Sequence, residues 1–123
     1  MDLGLRDKRA IITGATKGIG RQILEILIAE GCNVATCSRS IEDVEMTKEK
    51  VSTSKAKVYG DVCDVRDKDE YAAWIDKVVE EMDGVDIFIP IVSAGGGMDS
   101  EKNWWKNFEA DVLGTVRGVE AVV

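Results

Sequence analysis

Short apolar runs alternate along the chain with segments in which apolar residues recur at helical spacing. Arg9 to Thr13, Asn33 to Cys37, Lys57 to Tyr59 and Val85 to Val92 read as strands. Ile19 to Glu30, Ile41 to Val51, Lys68 to Met82 and the segment from Glu101 onward read as helices. The polar punctuation agrees. Gly31 ends the first helix, Ser40 caps the second, and Asp67 with Glu70 makes a capping box before the third. Asp83-Gly84 closes that third helix, and Ser100 caps the last. Tyr71, Trp74, Ile75, Val78 and Met82 give the third helix one apolar face.

Such alternation implies parallel strands joined by right-handed crossovers, with helices on both faces of the sheet. The expected fold is α/β, a doubly wound parallel sheet of strand order 3-2-1-4, in a single domain spanning residues 1–123. No repeat, linker or low-complexity stretch interrupts it.

Composition narrows the partners. With 45% apolar and 32% charged residues the chain is an ordinary globular sequence. A formal charge of −7 argues against nucleic acid and anionic membrane as partners, since both would be repelled. No apolar run reaches membrane-spanning length and the first residues do not form a signal peptide, so a cytoplasmic protein is expected. Cys32, Cys37 and Cys63 lack metal-ligand spacing, and with no histidine a Cys/His zinc site is excluded. Buried free thiols, and no metal site, are the expectation.

The chemistry is concentrated in Thr13-Gly14-Ala15-Thr16-Lys17-Gly18-Ile19-Gly20, where the first strand meets the first helix. Three glycines let backbone approach backbone, and the helix start offers free N–H groups and a partial positive charge. Together they make an anion site suited to a pyrophosphate. An ATP-type phosphate loop is excluded, because there the lysine follows the last glycine, whereas Lys17 precedes Gly18.

Three further positions fall where a bound dinucleotide needs them. The second strand ends in Ser38 and Arg39 with no carboxylate, and Lys17 can reach the same place from the glycine turn. A carboxylate there would take a ribose 2′-hydroxyl and select NAD(H), whereas cations suit a 2′-phosphate and favour NADP(H). Solvated surface charge is the competing reading of the pair. Asp64 and Val65 follow the third strand, able to meet an adenine amino group and ring; Asp64 beginning a turn is the alternative. Ser93, Ala94 and Gly95 follow the fourth strand and leave room for the cofactor's central portion, unless they form only a loop.

Taken together these positions resemble the short-chain dehydrogenase/reductase family. The likeness rests on Thr13-Gly14-x-x-x-Gly18-x-Gly20, on Asp64-Val65 and on Ala94-Gly95, and it covers the first half of such an enzyme. It implies a Rossmann-like fold, here a truncated half. It also implies that Gly14 to Ile19, with Thr16, Lys17 and Gly18 among them, hold the pyrophosphate. By the same resemblance Lys17 and Arg39 meet the 2′-phosphate, and Asp64 and Val65 the adenine; Gly20, Ser38, Ala94 and Gly95 complete the expected cofactor-binding set.

The family's chemistry is done by a Tyr four residues before a Lys, aided by a Ser and an Asn. Tyr59 and Tyr71 are followed at that spacing by Cys63 and Ile75, so neither serves. Asp111 stands where the family has its helical Asn, and Ser93 where it has Asn before Ala-Gly. No catalytic residue is therefore assigned, and the isolated chain is expected to be inactive.

Pro90 in the fourth strand cannot donate to a ladder and suits a sheet edge. Trp105, Phe108, Val112, Val116, Val119 and Val123 form one stripe of the last helix, wide enough to pack on the sheet and also to meet a partner. A homo-oligomer through the fourth-strand edge and the last helix is expected. Three functions stand at this point: the NADP(H)-binding portion of an oxidoreductase, a nucleotide-binding module without chemistry, or a structural oligomer.

Overall fold

The computed structural model describes residues 2–51, 56–91 and 100–123. Four strands, β1 (Arg9–Thr13), β2 (Asn33–Ser38), β3 (Val58–Val62) and β4 (Ile87–Pro90), form one parallel sheet in the order β3-β2-β1-β4. Helices α1 (Gly18–Ala29), α2 (Ile41–Val51) and α3 (Lys68–Met82) make the crossovers. After β4 the chain forms α4 (Glu101–Asn107), a π-helical segment (Phe108–Leu113) and α5 (Gly114–Val122).

The period of two along the strands sorts the core into two layers. Ile11, Ala35 and Cys37 face α3, meeting Tyr71, Trp74, Ile75, Val78 and Met82, with Ala121 and Val122 of α5 at the margin. Ala10, Ile12 and Val34 face the other way, onto Leu24, Leu27 and Ile28 of α1. α2 covers that second face beside β3. Gly60 permits the approach, because a β-carbon there would stand 3.1 Å from Val44 and Lys48 side-chain carbons.

The elements agree with the expected order, and the differences are local. β3 runs on to Val62 rather than stopping at Tyr59, since Gly60 and Asp61 pair in register with Thr36 and Cys37 instead of turning. β4 pairs over Ile87–Pro90 only; Val92 lies outside the described residues. Pro90 stands opposite Thr13, and β4 is an edge strand of the four-stranded sheet. Asp83 takes a left-handed conformation (φ 60°) to end α3, and Arg9 fastens that corner to β1. Its guanidinium donates to the Asp83 carbonyl and to both carboxylate oxygens of Asp86, at 3.0 and 3.2 Å for the latter.

The last helical stretch corrects an expectation. Trp105, Phe108, Val112, Val116 and Val119 are not shared between sheet and surface but exposed, by 42 to 58%. The buried side consists of Asn107, Ala110, Gly114 and Gly118. Small residues let the helix axis come close: a β-carbon at Gly118 would lie 2.5 Å from the Phe88 ring and 2.6 Å from the Tyr71 hydroxyl. The large side chains on the opposite stripe therefore point outward. Trp104 and Trp105 are both exposed.

Candidate functional site

At the carboxyl end of β1 the chain turns through Gly14 (φ 73°) and Gly18 (φ 60°), both in the left-handed region open to glycine. Gly20, in the first turn of α1, lies so close to the Gly14 carbonyl that a β-carbon would overlap it. This contact draws α1 against the turn and aims its amino end across the top of the sheet. Ala15 beneath is fully buried, while Ile19 stands 74% exposed at the rim.

The start of α1 differs from the other helix starts. Lys17 occupies the cap position and offers no side-chain acceptor, and the first turn holds no acid. Ser40 caps α2 by accepting from the Asp43 N–H at 3.3 Å. Asp67 caps α3 by accepting from the Glu70 N–H at 3.0 Å, and Ser100 caps α4 by accepting from the Asn103 N–H at 3.2 Å. Each of those three helices also carries acid in its first turn. The amino end of α1 is thus the one of these four whose field and N–H groups have no side-chain anion of their own.

Beside this turn opens a cavity of about 350 Å³. Thr16 and Lys17 line it from the glycine turn, Cys37, Ser38 and Arg39 from the end of β2, Cys63 to Arg66 from the end of β3, Lys106 from α4 and Ala110 from the π-helical segment. The parallel sheet explains the gathering: each crossover leaves its strand at the same end, so all three βα turns open onto one mouth.

Charge at the cavity opposes that of the whole chain. Its wall carries Lys17, Arg39, Arg66 and Lys106 against one carboxylate, Asp64, in a protein of formal charge −7. Lys17 pairs with Asp43 of α2 at 3.3 Å while remaining 78% exposed. Arg66 chelates Asp64, its Nη2 donating at 2.9 Å and its Nε at 3.1 Å, and the Arg66 N–H donates at 3.0 Å. These bonds, chiefly the side-chain ones, hold the Asp64 carboxyl below its usual range, with Arg39 adding a smaller pull. Arg117 of α5 braces the loop by donating to the Arg66 carbonyl at 3.0 Å.

Thr16, Lys17, Ser38, Arg39, Asp64 and Val65, expected at a site from sequence, therefore share one cavity. Gly14, Gly18, Ile19 and Gly20 form the turn at its side. Ser93, Ala94 and Gly95 lie outside the described residues. Asp111 sits in the π-helical segment, exposed and away from the cavity wall. Sequence reading missed Arg66 and Lys106. Arg66 could have been found as the neighbour of Asp64; Lys106 is one of several charges on a helix and carries no local signal.

Cys37 and Cys63 are buried thiols lining the cavity, and their mutual hydrogen bond together with burial pushes Cys37 well above the usual thiol range. Raised thiols are poor nucleophiles. Among the described residues no cluster of three or more His, Cys, Asp or Glu is suited to a metal ion, and no helix is long and apolar enough to cross a membrane.

Residues 8–123 match the family model described as short chain dehydrogenase. The "Uncharacterized oxidoreductase YvrD" of Bacillus subtilis is 34% identical over 121 residues, covering 95% of this chain and 45% of that protein. Among solved structures, L-sorbose reductase of Gluconobacter frateurii, complexed with NADPH and L-sorbose, superimposes with TM-score 0.90 at 24% identity, covering 99% of this chain and 48% of that one. An NAD+-bound xylitol dehydrogenase superimposes with the same score at 22% identity, covering 96% of this chain and 47% of that one. At these identities the two structures speak for the fold alone. The chain spans about half the length of the relatives it matches.

Proposed function

Because its sequence from residue 8 onward is that of a short-chain dehydrogenase, the chain belongs to that family, and we propose that it forms the NADP(H)-binding half of an oxidoreductase. The whole protein would pass hydride between the nicotinamide and a carbonyl or alcohol substrate. The observation carrying the cofactor choice is the juxtaposition of Ser38, Arg39 and Lys17 on one cavity, with no carboxylate at the end of β2.

The residues fit a dinucleotide on two structural grounds. The Gly14–Gly20 contact holds the amino end of α1 tightly against the glycine turn, and that end lacks a side-chain acceptor. Gly14 to Gly20 would hold the pyrophosphate on backbone N–H groups, without a proton-transferring side chain. Arg39, whose planar fork suits a phosphate, would take the 2′-phosphate with Ser38 and Lys17. Val65 offers the adenine an apolar wall and Asp64 an acceptor already fixed in place by Arg66. Ala94 and Gly95 are assigned the ribose side by family resemblance alone. The bound nicotinamide supplies the hydride; with no Tyr-x-x-x-Lys pair in these 123 residues, this chain is assigned binding and not proton transfer.

We further assign a second copy of the chain as partner, supported by the outward stripe of Trp105, Phe108, Val112, Val116 and Val119 and by the place of β4 at the sheet edge among the described residues. A cytoplasmic setting is supported by three free thiols.

Calorimetric titration of the chain with NADPH and with NADH tests the cofactor assignment. Tighter binding of NADPH, reversed by Arg39→Asp, is expected. Equal affinities that the substitution leaves unchanged would overturn it.

A further inference from the structure

Two of the four cavity cations are already spoken for. Lys17 faces Asp43, and Arg66 faces Asp64 with the Glu109 charge also acting on it. Arg39 and Lys106 have no ion pair among the described residues. They reach the cavity from different elements, Arg39 from the end of β2 and Lys106 from the last turn of α4.

Nothing on α4 requires a lysine there for packing. Position 106 is exposed, whereas its neighbour Asn107 is buried and anchors the helix. Lys106 is a favourable charge near the α4 carboxyl end, but α4 continues into the π-helical segment, so its carbonyls are not a free terminus. The charge stands on the wall of the cavity.

We propose that Lys106 is a specificity-determining residue for the nucleotide, supplying from α4 a second positive charge that has no ion pair among the described residues and favours a phosphorylated adenosine ribose. The proposal rests on the dinucleotide reading of the cavity and adds a residue outside the glycine turn and the β2 end. An extra phosphate carries close to two negative charges near neutral pH, so it gains more from a cation at the cavity wall than a hydroxyl does. Lys106 would act with Arg39, and Lys17, its charge offset by Asp43, would contribute less.

The test is calorimetric titration of the chain with adenosine 2′,5′-bisphosphate, 5′-ADP, NADPH and NADH at low and high salt. Wild type is compared with Lys106→Gln, Lys106→Arg and Arg39→Ala. Lys106→Gln is expected to weaken the 2′-phosphorylated ligands roughly 3- to 10-fold, leaving 5′-ADP and NADH within about twofold. The difference should shrink at high salt, and Lys106→Arg should restore affinity. An unchanged preference in Lys106→Gln, with Arg39→Ala losing it, would overturn the role of Lys106 and leave the NADP(H) reading standing. Equal weakening of all four ligands would also overturn it, since that marks a loss of fold or of adenine contact. Failure of wild type to bind any of them would sink both readings together.

Discussion

Gly20 of α1 packs against the carbonyl of Gly14 with no room for a β-carbon between them. That contact fixes the angle at which α1 leaves the sheet, and with it the direction of the helix's unclaimed N–H groups. Gly20→Ala must push helix and turn apart. It is expected to lower stability by about 1–3 kcal/mol, as overpacking does, and to weaken dinucleotide binding at least tenfold. Chemical denaturation and calorimetric titration of the variant check both.

The two glycines of α5's buried side should behave in opposite ways. At Gly114 a β-carbon meets nothing closer than 3.4 Å, ordinary contact, so Gly114→Ala should be neutral or stabilise by up to about 1 kcal/mol through helix propensity. At Gly118 the same atom runs into Phe88 and Tyr71, and Gly118→Ala should cost about 1–3 kcal/mol. Denaturation midpoints of the pair measure the contrast.

Asp86 supplies a pH dependence. The Arg9 side chain and the Arg9 N–H hold its carboxyl down at about 2, from an ordinary value of 3.8. A depressed carboxyl stabilises the folded state above its unfolded pKa and loses that contribution on protonation. Stability should therefore fall as pH drops from about 4 towards 2. Asp86→Asn should be less stable at neutral pH and show a shallower loss over that window, read from denaturation curves at successive pH values.

The outward stripe on the last helix predicts self-association. Trp105 and Phe108 already stack edge to face at 6.0 Å, and Val112, Val116 and Val119 continue the same side. Sedimentation equilibrium should find a dimer or larger assembly. Val112→Glu with Val116→Glu should yield monomers whose circular dichroism is unchanged, because both side chains face outward. Monomeric wild type at micromolar concentration would contradict this.

What the sequence disclosed and what it hid follow from how local each signal is. Strand order and both faces of the sheet could be read because periodicity and crossover handedness are properties of short segments. The glycine turn, Ser38, Arg39 and Asp64 could be read for the same reason. The outward stripe of the last helix was misjudged because period alone marks an apolar side without saying which side is packed. The deciding residues, Gly114 and Gly118, look weak until Val65 is seen beside the first and Phe88 and Tyr71 beneath the second. β3 was read short because Gly60-Asp61 resembles a turn until its register with β2 is known. Lys106 joins the cavity only through folding that brings α4 over the β3 end, which no local pattern encodes.

Whether the amino end of α1 grips a diphosphate can be read residue by residue from amide NMR. The chain would be labelled with nitrogen-15 and titrated with NADPH. The largest amide shifts are expected on residues 14–20, with smaller ones at Ser38 and Arg39. Silent resonances at 14–20 while amides elsewhere move would contradict it.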